Sequence, residues 1–101
     1  MTHPIACRMD ALTSGERERQ QSLRRQLEAA VVECRETATG YVFAYRADAS
    51  VLGTAAAWMA IERRCCPFLD FTLEWRAGAD GPTLEIGGGP GVKAFIAQTF
   101  V

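Results

Sequence analysis

The constraint that shapes this chain most is an abrupt change of periodicity at Pro67. Before it, Val51, Leu52, Ala55, Ala56, Trp58, Met59, Ala60 and Ile61 recur at helical spacing. They predict a helix from about Ala49 to Cys65, capped by Asp48 or Ser50. After it, Leu69, Phe71, Leu73 and Trp75 alternate with Asp70, Thr72, Glu74 and Arg76, the pattern of a half-buried strand. Proline disfavours helical geometry in the residue before it, so the helix must end across Cys65-Cys66. Apolar residues cover most of that helix, which predicts burial on more than one side, by a sheet and by another element or subunit.

The flanking segments extend this pattern. Ile5, Cys7, Met9 and Ala11 predict one face of a first strand. Thr13 and Glu16 form a capping-box pattern, opening a helix expected from Ser14 to Arg35 with a buried stripe of Leu23, Leu27, Ala30, Val31 and Cys34. Its first turns, Glu16 to Gln21, read as polar all round. Tyr41, Phe43 and Tyr45 share a face of a second strand. Residues 77–82 form a turn, and Thr83 to Ile86 complete a hairpin with the strand after Pro67. Gly87-Gly88-Gly89-Pro90-Gly91 leads into a last helix with Val92, Phe95, Ile96 and Phe100 facing in. This glycine loop lacks the adjacent Gly-Lys-Ser/Thr of a phosphate-binding loop, and a tight turn explains it better. The expected fold is a single α+β domain over residues 1–101. It is a two-layer sandwich of order β-α-β-α-β-β-α, with a mixed four-stranded sheet and helices mainly on one face. The aromatic face of the second strand suggests a homodimer.

Several functions are disfavoured by composition. Lys and Arg total 11 against 12 Asp and Glu, a net charge of −1. Nucleic-acid binding draws on a basic excess, which is missing. No apolar run approaches the roughly 20 residues that span a bilayer. No export signal opens the chain, which with four cysteines points to a cytoplasmic protein whose thiols are buried, metal-binding or redox-active. Cysteines at 7, 34, 65 and 66 match no zinc-finger spacing.

The adjacent thiols of Cys65 and Cys66 admit three readings. Thiolates favour soft or borderline ions such as zinc, copper(I) or mercury. Glu62 lies three and four residues before the pair, on the same helical face, where its carboxylate can reach a bound ion. Successive helical side chains diverge by about 100°, so both sulfurs converge only if the helix breaks between them, as Pro67 requires. Cys7 is a candidate third sulfur if its segment runs beside the helix end; His3 is a weaker addition. The second reading is thiol redox or nucleophilic chemistry. The helix C-terminus opposes a thiolate, and Arg63 and Arg64 offset this by about 0.3–1 kcal/mol each. The third is packing: cysteine behaves as a small hydrophobe, the simplest account of Cys34. Trp58 and Trp75 read as core.

The run Glu62-Arg63-Arg64-Cys65-Cys66-Pro67-Phe68-Leu69 resembles the signature of a group of small bacterial proteins, some encoded near heavy-metal resistance genes. Cys7, Ala11-Leu12, Glu16-Arg17, Gly40-Tyr41 and Gly89-Pro90-Gly91-Val92-Lys93-Ala94-Phe95 extend the resemblance over most of the chain. It implies a shared fold and an association with metals, without a known activity. Residues and resemblance together favour a soft-metal or metalloid site of Cys65 and Cys66, with Cys7 and Glu62 as further ligands. A structural module and a thiol enzyme remain the alternatives.

Overall fold

The computed structural model describes residues 5–101. After a 3-10 turn at Met9–Ala11 come helix α1 (Ser14–Ala30), strands β1 (Val31–Glu36) and β2 (Gly40–Tyr45), helix α2 (Ala49–Cys65), strands β3 (Asp70–Glu74) and β4 (Thr83–Gly87), and helix α3 (Val92–Thr99). The α+β class, three helices and four strands agree with expectation. The sheet order is β1-β2-β4-β3, and each neighbouring pair is antiparallel. It is therefore an antiparallel sheet and not a mixed one. Two hairpins, β1–β2 and β3–β4, meet along β2 and β4, so no parallel crossover is needed.

The difference begins at the chain start. Residues 5–10 are exposed without alternation, and residues 9–11 form the 3-10 turn in place of the expected strand. The remaining strand comes from what the helical pattern claimed for the end of α1. That helix opens as its sequence predicts: the Thr13 side chain accepts from the Glu16 N–H, and Glu16 accepts from the Thr13 N–H. It stops at Ala30, and Val31 turns extended with φ −66° and ψ 130°. Val31 and Val32 are β-branched and fit a pleated edge better than a helix turn. A register irregularity between Val31 and Glu33 leaves Val32 67% exposed. Cys34, expected in the core, is exposed on this edge strand.

Phe43, Tyr45, Leu84 and Ile86 point from the sheet into a core shared with Leu23 and Leu27 of α1, Val51, Ala55 and Trp58 of α2, and Val92 and Ile96 of α3. Each such side chain removed from water contributes about 1.5–3 kcal/mol before entropy is counted. Trp58 anchors the centre, edge-on to Phe71 at 5.7 Å and to Phe100 at 5.5 Å. Val42, Thr72, Glu74 and Glu85, from the alternate positions, line an open groove with Arg35 and Arg76. The aromatic strand face expected to meet a second subunit is thus occupied within this chain, with Phe43 and Tyr45 buried. Trp75 also departs from expectation: β3 ends at Glu74, and the indole is 38% exposed with its N–H donating to the Ala79 carbonyl at 3.4 Å.

Two glycines are dictated by geometry. A Cβ on Gly40 would lie 2.0 Å from the Ile86 carbonyl oxygen, so only glycine lets β2 start so close to β4. Gly91 caps α3 at φ 86°, in the left-handed region.

Candidate metal centre

Helix α2 fully buries one stripe, Val51, Ala55, Trp58, Glu62 and Cys65. Ala57, Met59 and Ile61 beside it are partly buried against the core and the helix packs on both α1 and β3, as expected of a helix buried on more than one side, while Ala56 and Ala60 reach solvent. The stripe carries a carboxylate into the interior: Glu62 is 4% exposed. It is no surface partner of an arginine. Its two oxygens face a short polar chain, with Gln20 Nε2 donating to Oε2 at 2.6 Å and Cys66 Sγ donating to Oε1 at 3.3 Å.

The helix ends where Pro67 requires. Cys65 is its last residue, and Cys66 leaves helical geometry at φ −125° and ψ 74° while its N–H still donates to the Glu62 carbonyl at 2.6 Å. This bend turns the second thiol back toward the first. Both are sealed from bulk water, at 1% and 0% exposure. The third sulfur arrives from the chain start. The Arg8 N–H donates to the Cys65 carbonyl at 2.7 Å, which pins the 3-10 turn against the helix end. Cys7 Sγ then lies 2.8 Å from Cys66 Sγ, although the two residues are 59 apart in sequence. One ligand atom from each of Cys7, Glu62, Cys65 and Cys66 falls within 4.8 Å of all the others. The expected cluster is therefore brought together whole, with Cys7 delivered by a turn rather than a strand. His3 lies outside the described residues.

Electrostatics favour the protonated forms when no ion is bound. Burial pushes the Glu62 carboxyl above the usual range, and the hydrogen bond from Gln20 only partly opposes this. Burial also raises Cys66, reinforced by Cys7 and by the Glu62 charge. Cys7 is raised for the same first reason. The arginines beside the pair do not serve the thiols. Arg64 pairs with Glu16 and donates to the Ala11 carbonyl at 2.9 Å, and Arg63 donates to the Leu69 carbonyl at 3.1 Å. All four cysteines are unbonded.

Two neighbours were not picked out from the sequence. Gln20 is buried at the N-terminal end of the α1 stripe and is not part of an all-polar turn. Its position three residues before Leu23 and seven before Leu27 carried that signal. Met9 approaches the cluster through a sulfur contact, which no ligand spacing reveals. Both line a cleft of about 230 Å³ whose wall includes Cys7, Glu62 and Cys65. Among the described residues, no helix is long and apolar enough to cross a membrane. Comparison with protein-family models, curated proteins and solved structures found no match.

Proposed function

We propose that this protein binds a soft metal or metalloid ion through the thiolates of Cys7, Cys65 and Cys66, with Glu62 as an oxygen ligand or as the group that holds Cys66 in place. The observation that carries this reading is the convergence of four ligand atoms from two distant chain segments within 4.8 Å. Packing alone would favour cysteines facing separate apolar neighbours. Here one sulfur faces another sulfur and a buried carboxyl group, and taking such a group out of water is costly even with the Gln20 and Cys66 hydrogen bonds it receives. Zinc, copper(I) and mercury(II) suit a sulfur-rich set with one oxygen. The likeness of the Glu62–Leu69 run to proteins encoded near metal-resistance genes points the same way.

Titration of the reduced protein with zinc, copper(I) and mercury(II) tests the reading. Wild type should bind with one-to-one stoichiometry and Cys65→Ser/Cys66→Ser should lose affinity; equal affinities would end it. Because thiolates are the metal-binding form and burial raises the Cys66 thiol, binding must displace protons. Calorimetry in buffers of different ionisation enthalpy should register their release, and affinity should climb with pH across neutrality.

The contact between Cys7 and Cys66 favours a second reading, a reversible dithiol. Against it stand raised thiols, whereas reactive cysteines are activated by a lowered pKa. Iodoacetamide alkylation against pH separates the two: slow modification of Cys7 at neutral pH accords with an ion site, and rapid modification with thiol chemistry.

A further inference from the structure

We infer that Met9 supplies a fourth sulfur ligand, a neutral thioether that turns the cysteine cluster toward a monovalent soft ion such as copper(I) in preference to zinc(II). The inference rests on the proposed metal site and specifies its cargo. Met9 Sδ lies 3.3 Å from Cys65 Sγ. That position is not explained by core packing, because the residue is 39% exposed. It sits two residues beyond Cys7 on the 3-10 turn fastened to Cys65 by the Arg8 hydrogen bond, so one short segment presents two sulfurs to the helix end. Cys7, Met9 and Cys65 share the wall of the same cleft.

The ligand chemistry gives the direction of selectivity. Thiolates bind zinc(II) and copper(I) alike, whereas a thioether is soft, uncharged and a poor ligand for zinc(II). It needs no deprotonation and adds no negative charge to a site that already gathers three thiols and a carboxyl. For a singly charged ion this is an advantage, since each further thiolate would enlarge the excess negative charge held in a buried place. Met9 also stands at the cleft wall beside the exposed Cys7, while Cys66 lies fully buried. An incoming ion would therefore meet the sulfurs of Met9 and Cys7 before that of Cys66.

The test compares wild type with Met9→Leu, a substitution of similar volume at a part-exposed position. Copper(I) affinity is read by competition with bicinchoninate, and zinc(II) affinity by competition with a chromophoric chelator. Copper(I) affinity should fall about tenfold or more and zinc(II) affinity should change by less than about twofold. In selenomethionine-labelled protein, selenium-edge absorption should show copper bonded to selenium, and Met9→Leu should abolish that signal. An unchanged copper(I) affinity, or an equal fall for both ions, would overturn the assignment while leaving the cysteine site intact. Failure of wild type to bind either ion would remove the site and Met9's role together.

Discussion

At the scale of single residues, Glu62 bears an unfavourable burial that the metal-free protein must carry. Its folded pKa lies above the ordinary 4.5, so the folded state holds this proton more tightly than the unfolded chain. Stability therefore falls as pH rises from about 4.5 through the folded value, and the loss is complete above it. Glu62→Gln removes the ionisation and can keep an oxygen for the Gln20 amide. The metal-free variant should be more stable than wild type at neutral pH in urea unfolding, and the gain should vanish as pH approaches 4.5. The same variant should bind its ion less tightly, so stability and affinity move in opposite directions. Equal urea midpoints at both pH values would show that the carboxyl carries no such penalty. Glu62 was legible as a candidate because helical spacing sets it beside both cysteines. Its depth was not, because an acid beside arginines reads as a surface partner even where, as here, it continues the Val51-Ala55-Trp58 stripe of α2. Gln20 escaped notice because an amide is unremarkable until the acid it faces is known.

At the scale of elements, the ends of helices matter most. The Thr13–Glu16 capping box fixes where α1 begins, and Glu16 also pairs with Arg64 near the end of α2. One side chain thereby relates the start of one helix to the end of the other. Thr13→Ala should lower stability by about 1 kcal/mol, seen as an earlier thermal or urea transition. An unchanged transition would mean that solvent replaces the cap without loss. The α2 terminus and the β3 alternation were readable because Pro67 and the two-residue period are local signals. The α1–β1 boundary was not. Leu23, Leu27 and Ala30 are buried at helical spacing, and Val31 and Cys34 continue that spacing past the true end. Periodicity alone cannot distinguish a helix's last turn from an edge strand; the Val31-Val32 pair and the pairing with β2 decide it. The early segment failed in the opposite sense. Its alternation of Ile5, Cys7 and Met9 looks like a strand, but the sheet edges are β1 and β3, and the segment lies against the end of α2 instead.

For the whole molecule, the cluster closes a long loop of chain. Cys7 and Cys66 bracket α1, the first hairpin and α2, and an ion shared between them would tie the chain start to the centre of the fold. A ligand that binds only the folded state stabilises it by mass action, about 2.7 kcal/mol at a hundredfold excess over Kd. The melting temperature should therefore rise with ion concentration in wild type and stay fixed in Cys65→Ser/Cys66→Ser. Amide exchange should resolve where the stabilisation acts. Protection of the Arg8 N–H, which donates to Cys65, should increase more than that of the central β2 and β4 strands. A uniform increase across the sheet would indicate that the chain start is already fixed without the ion.

The hydrogen bond from Arg8 to the Cys65 carbonyl has a kinetic meaning. Two of the three cysteine sulfurs are buried at the end of α2, and the third belongs to the short stretch that this bond fastens down. An ion held as proposed would then leave when that stretch peels away, with the hydrophobic interior left intact. A site closed by such a strap would retain an ion at rest and release it once a few residues are lifted.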